Sequence, residues 1–112
     1  MIAKKYRFHS RGGIKYTYRN GKTIRGAKIS LVFTANSRNH QRFSVVVSKK
    51  VLKSAVGRNL IRRRVYEAIR LELTNFKPNL DCLFIINNKD VAIIPFSELQ
   101  ALVRDLLSKT IK

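Results

Sequence analysis

Between Val51 and Arg70 the chain reads VLKSAVGRNLIRRRVYEAIR. Placed on a helix at about 100° per residue, Arg62, Tyr66, Asn59, Arg70 and Arg63 share one arc roughly 100° wide. The opposite arc holds Ile61, Val65, Ala68 and Ile69. One face is therefore suited to a core, and the other is a ladder of guanidinium groups with one amide and one aromatic ring. That combination suits RNA. An arginine fork binds phosphate with two parallel hydrogen bonds and stacks on bases. An amide reads a base edge or a sugar hydroxyl, and a tyrosine stacks on unpaired bases. A charged helix face is often merely solvated, with charges cancelled by neighbours four residues away. No glutamate stands four residues from Arg58 or Arg62, so internal ion pairs do not account for them. Just upstream, Ser48, Lys49 and Lys50 lead into the helix start, where unpaired N–H groups already favour anions.

The charge of the whole chain points the same way. Its 112 residues carry 24 Lys plus Arg and 6 Asp plus Glu, a formal net charge of +18. Met1 to Tyr66 contains no carboxylate side chain and 18 of the basic residues, so the entire excess lies there. Such a chain repels itself unless a polyanion neutralises it, and nucleic acid is the expected partner. The length fits one domain spanning residues 1–112, and 45% hydrophobic residues are enough for a core. No apolar run reaches the roughly 18 residues of a membrane span, and the N-terminus lacks a signal peptide's apolar stretch. The single cysteine, Cys82, forms no internal disulfide, which fits a reducing, cytoplasmic setting.

Protein-based catalysis finds no support. His9 and His40 have no carboxylate nearby in sequence, and no Cys/His spacing suits zinc. No catalytic or metal-ligating residue is assigned, and Cys82 reads as a buried strand residue.

These groups need a scaffold. Ile14, Tyr18 and Tyr16 suggest a short basic helix, with Gly21 as its C-cap. Lys28 to Thr34 reads as a strand, Ala35 to His40 as a turn, and Arg42 to Ser48 as a second strand paired with the first in a hairpin. Val51 to about Thr74 reads as one long helix, followed by a break around Pro78. Asp81 to Ile86 is apolar almost throughout, as in a strand buried on both faces. Asn87 to Pro95 reads as a loop. Ser97 is the expected N-cap of a closing helix carrying Leu99, Leu102, Val103, Leu106 and Leu107 at i, i+3, i+4, i+7 and i+8. The expected fold is an α+β two-layer sandwich, order α-β-β-α-β-α, with a small mixed sheet and a βαβ crossover. The default hand for such a crossover is right.

The segment FSVVVSKKVLKSAVGRNLIRRRVYEAIR, Phe43 to Arg70, resembles the bacterial ribonuclease P protein component. That family joins a strand ending in V-S-K-K to an arginine helix through a spacer. Phe8, Ile14, Tyr18 and Gly21, the aspartate Asp81 and the leucine-rich last helix extend the likeness over nearly the whole chain. The resemblance implies a non-catalytic protein subunit of a ribonucleoprotein endonuclease that removes the 5′ leader of precursor tRNA. It implies that the RNA subunit is the catalyst, using Mg2+ held mainly by that RNA, and that the βαβ crossover is left-handed. It places Arg58, Asn59, Arg62 and Arg63 against the RNA subunit, and Tyr66 and Arg70 share their helix face. It places Ile14 and Tyr18 in a leader-binding cleft, with Ser48, Lys49 and Lys50 on the sheet side. The sequence departs from the family pattern at Leu60, which stands for a second arginine, and at Asn87, which stands for another. Ile14 replaces an aromatic residue, and the spacer after Lys50 is one residue longer. The competing readings are a ribosomal or other structural RNA-binding protein, and a DNA-binding helix domain. The latter lacks a helix-turn-helix pattern before the long helix.

Overall fold

The computed structural model describes residues 6–8, 11–37, 40–73 and 79–110. The expected break around Pro78, the distal end of the long helix at Thr74, His9 and part of the Ala35–His40 turn lie outside the described residues. The elements run α1 (Arg11–Asn20), β1 (Lys22–Ile24), β2 (Ile29–Ala35), β3 (Arg42–Val46), α2 (Ala55–Glu72), β4 (Leu80–Ile86), a short 3-10 helix (Lys89–Ala92) and α3 (Phe96–Ser108). This is the expected order with one more strand, β1, a three-residue edge piece too short to show a period.

The four strands form one mixed sheet in the order β1-β2-β4-β3. β4 runs antiparallel to β2 and parallel to β3. The expected hairpin between β2 and β3 does not form, because β4 inserts between them. The reason is burial. Cys82, Phe84 and Ile86 of β4 join the main core, whereas Leu83 belongs to a second cluster with Val32 and Phe8. A strand apolar on both sides loses most at an edge, so it takes the centre. β3, α2 and β4 then make the βαβ crossover.

Helices α2 and α3 cover one face. Ile61, Val65 and Ile69 of α2 and Leu99 and Val103 of α3 are buried there against Leu31, Phe43 and Phe84. α1 crosses the opposite face, where Ile14 and Ile85 pack on Phe8, Val32 and Leu83. That face is covered only in part.

Local chemistry sets the helix ends. α2 starts at Ala55 rather than Val51 because Ser54 is its N-cap, its side chain accepting from the Gly57 N–H at 3.1 Å. The N–H groups of Val51 and Leu52 instead close a turn on the Ser48 carbonyl, at 3.1 and 3.3 Å. Ser54→Ala is expected to cost about 1 kcal/mol in urea unfolding, as for other N-caps. α3 is capped at Pro95, not Ser97, with no side-chain cap; the Glu98 and Leu99 N–H groups bond the Pro95 carbonyl. Gly21 is not a left-handed C-cap, since no described glycine has positive φ. A Cβ there would lie 2.7 Å from the Phe33 carbonyl and 2.5 Å from that of Thr17, so close approach of α1 to β2 requires the glycine.

On the α1 side of the sheet, Asp81 accepts from Arg42 through both carboxylate oxygens, at 2.8 and 2.7 Å, and from Asn36 at 2.8 Å. The Arg42 guanidinium lies 4.8 Å from the centre of the Phe8 ring. This network ties β3, β4 and the segment before α1 together.

Candidate nucleic-acid interface

A groove of about 490 Å3 opens where α1, β3 and the first half of α2 meet. Ile14 supplies the α1 wall, Ser44 and Val46 the floor, and Asn59 and Arg62 the α2 wall. Arg7 and Tyr66 line it as well. It exists because β3 is an edge strand and α1 leaves part of the sheet uncovered. Among the described residues β4 is the one strand paired with β3, whose outer edge otherwise carries a single bridge from Arg7 to Phe43, so the groups on that edge need other partners. The Phe43 carbonyl accepts from the Phe8 N–H at 3.1 Å, and the Val45 N–H donates to the Tyr66 hydroxyl at 3.3 Å.

That second bond decides the role of Tyr66. Its ring is 3% exposed, so it cannot stack on a base as the helical wheel suggested. Burial pushes its phenol above the ordinary value, partly offset by the bonds from Val45 and Ser44. The hydroxyl therefore stays protonated as a fixed dipole in the groove.

The other expected residues divide by environment. Arg62 and Asn59 share the groove with Ile14, so the surface expected for the RNA subunit and the one expected for the leader are contiguous. Arg63 is exposed, and so are Ser48, Lys49 and Lys50 in the turn before α2. Arg58 is folded back, donating to the Leu52 and Lys53 carbonyls at 3.0 and 2.7 Å. It braces the turn that carries the lysines. Arg70 forms an ion pair with Glu67 at 2.5 Å, and this hydrogen bond raises its pKa further above the ordinary range. Glu67, four residues beyond Arg63, is thus engaged elsewhere.

Tyr18 is 60% exposed and does not line the main groove. It borders a smaller pocket of about 170 Å3 with Thr23, Arg25, Ser30 and Asn87. Ile14 and Tyr18 therefore face two hollows along one helix rather than one cleft. Asn87 is occupied in structure, its amide donating to the Gly26 carbonyl at 2.9 Å and to Ser30 Oγ at 2.8 Å. Leu60 is half-exposed beside Arg64, which donates to the Val91 carbonyl at 2.6 Å and to that of Ile94. Arg64 thus fastens the loop before α3, a role invisible in a run of three arginines. Arg7 was missed for a similar reason, since nothing in a generally basic N-terminal segment singles it out.

Electrostatically, Arg7, Lys49, Lys50, Arg62 and Arg63 have no carboxylate partner among the described residues. Cys82 is fully buried in β4 and burial raises its thiol pKa, so it stays a packed thiol. A groove with Ser44 and Val46 on its floor, the exposed Asn59 amide on its wall and unpaired cations on and beside it is suited to a flexible polyanion with unstacked bases.

A family model described as Ribonuclease P matches residues 2–111. The chain belongs to the ribonuclease P protein family. A ribonuclease P protein component from Roseiflexus castenholzii is 37% identical over 108 residues, covering 96% of this chain and 88% of the relative. One from Caldanaerobacter subterraneus is 34% identical over 96 residues, covering 86% and 81%. Among solved structures, the RNase P protein of Staphylococcus aureus superposes with a TM-score of 0.81 at 20% identity, covering 95% of each chain. That of Thermotoga maritima gives 0.83 at 22% identity, covering 92% of this chain and 96% of the other. The α+β fold described above is thus the fold of ribonuclease P proteins, and family membership implies an RNA partner. No helix among the described residues is long and apolar enough to cross a membrane.

Proposed function

We propose that this chain is the protein subunit of a ribonuclease P ribonucleoprotein, binding the catalytic RNA and the 5′ leader of precursor tRNA. The observation that carries the reading is the group of unpaired cations on and beside the groove floored by Ser44 and Val46. The protein's contribution is binding energy and positioning. Lys49, Lys50 and Arg63 supply point charges and forks for phosphates, and Arg58 holds the lysine turn in place. Arg62 and Asn59 face both RNA partners, because they form the wall between them. Ile14 in the groove and Tyr18 on the neighbouring hollow offer apolar and aromatic surface to bases of any sequence, which suits a leader that varies.

Cleavage itself belongs to the RNA subunit in this reading. The groove does not fit a magnesium ion, since it offers guanidinium, amide and hydroxyl groups and no carboxylates. Glu67 of α2 is committed to Arg70, and Asp81 of the neighbouring β4 to Arg42. The magnesium of the reaction is then held by RNA phosphates.

Reconstitution tests the proposal. Adding the protein to its cognate ribonuclease P RNA at low magnesium is expected to raise the rate of leader removal. No gain in cleavage would sink the reading. Recovery of ribosomal RNA instead of ribonuclease P RNA in a pull-down would favour a structural RNA-binding role.

A further inference from the structure

The turn from Ser48 to Ser54 places charge where electrostatics disfavours it. Lys49, Lys50 and Lys53 are exposed just ahead of α2, whose N-terminal end is itself positive. Arg58 adds a fourth cation in the first turn of that helix. Like charges so placed repel one another, and an unanchored loop would carry the lysines outward. The structure holds the turn at three points instead. Val51 and Leu52 pack against the main core. The Leu52 side chain lies over Gly57, where a Cβ would come within 2.5 Å of Leu52 Cδ2 and 3.2 Å of its Cγ. The Arg58 guanidinium donates to two successive carbonyls, of Leu52 at 3.0 Å and Lys53 at 2.7 Å. Glycine is a poor helix former, and Gly57 is the third residue of α2 without a positive φ to justify it. What it supplies is the missing side chain, which is the seat of Leu52.

We infer that Gly57 and Arg58 are positioning residues: neither touches RNA, and together they fix where Lys49 and Lys50 stand relative to α2. The inference rests on the function proposed above, which assigns the lysines to phosphates. It adds Gly57 and its partner Leu52 to the residues on which RNA binding depends. It also makes the effect of Arg58 wholly indirect, its fork being spent on backbone carbonyls. A turn fixed in this way meets its ordering cost during folding rather than when RNA arrives. The two lysines then meet phosphates at a set distance from Arg63 instead of searching for them.

The test is a double-mutant cycle on the full-length protein with its cognate ribonuclease P RNA, read by filter binding at one salt concentration. The reference background carries Lys49→Ala with Lys50→Ala, expected to bind at least about tenfold more weakly than wild type. In the wild-type background Arg58→Ala is expected to lose about tenfold and Gly57→Ala several-fold. In the background without the lysines each is expected to lose less than about twofold, because nothing is left to position. Thermal unfolding verifies that the variants are folded. Gly57→Ala keeps the fold, since the group it crowds is a flexible side chain and alanine favours the helix. Leu52→Ala removes the same contact from the other side and is expected to follow Gly57→Ala. Equal losses in the two backgrounds overturn the inference. A residue that touched RNA itself, or that held the whole fold, would cost the same with or without the lysines. So does the absence of any loss from Arg58→Ala and Gly57→Ala in the wild-type background. Equal losses in a protein that still stimulates leader cleavage refute the positioning role alone. Strong coupling in a protein that gives no stimulation refutes only the holoenzyme reading. A protein without the two lysines that binds like wild type refutes both.

Discussion

Replacing Arg62 and Arg63 together with alanine is expected to weaken binding of the catalytic RNA about a hundredfold, two charged hydrogen bonds at roughly 1.5 kcal/mol each. The slope of log K against log salt should flatten by about one unit for each phosphate that is no longer neutralised. Both guanidiniums are unpaired among the described residues, and Arg63 is exposed. The variant's unfolding curve should therefore move little, within about 0.5 kcal/mol of wild type. The informative comparison is Arg70→Ala. Arg70 lies on the same arc but is already engaged by Glu67, so removing it should change affinity several-fold at most. Equal losses for Arg70 and for the Arg62–Arg63 pair would show that total charge, rather than the placement of unpaired forks, drives binding.

The largest effect on stability is expected at Asp81. Asp81→Ala should cost about 3 kcal/mol or more, because it leaves a buried charge without its partner. Arg42 and Asp81 side chains are only 18% and 10% exposed, and Arg42 is pinned above Phe8. Its pKa is raised chiefly by the hydrogen bond to Asp81, so the guanidinium keeps its charge. The loss is a large share of the roughly 5–15 kcal/mol that holds a domain of this size. Urea unfolding measures it. The double replacement Arg42→Met with Asp81→Leu should recover much of the loss, since well-packed apolar residues tolerate such a site better than a lone charge does. A double variant no better than Asp81→Ala alone would mean that the bonds themselves, including that from Asn36, fix the strand positions.

Much of this fold was legible because its strongest signals are local. The apolar run at Asp81–Ile86 marked a strand buried on both faces, and the spacing from Leu99 to Leu107 marked a packing helix. Pairing was not legible in the same way. Residues 28–34 and 42–48 look like a hairpin until β4, from nearly forty residues later, takes the place between them. Cap positions failed for a subtler reason. Val51 and Leu52 extend the apolar pattern backwards, although Ser54 was present as a capping side chain. On the site, the wheel grouped residues by angle alone. Arg62 and Asn59 fall on the groove as that angle implies, but Tyr66 sits where core and surface meet, and the open edge of β3 draws its hydroxyl inward. Arg58 and Arg70 carry the right side chain, yet nearby backbone and Glu67 claim them. Which arginine is free is a tertiary property, since it depends on which acceptors other elements bring within reach.

The position of β4 also governs how the chain folds. Every strand pair in the sheet except β1–β2 requires Leu80–Ile86, and its partners lie 39 to 57 residues earlier. Such contact order slows folding, because long loops must close before any pairing rewards them. During synthesis the cationic N-terminal portion emerges first and has no central strand on which to assemble. The half of the molecule built to hold RNA thus acquires its shape only when the electroneutral half arrives.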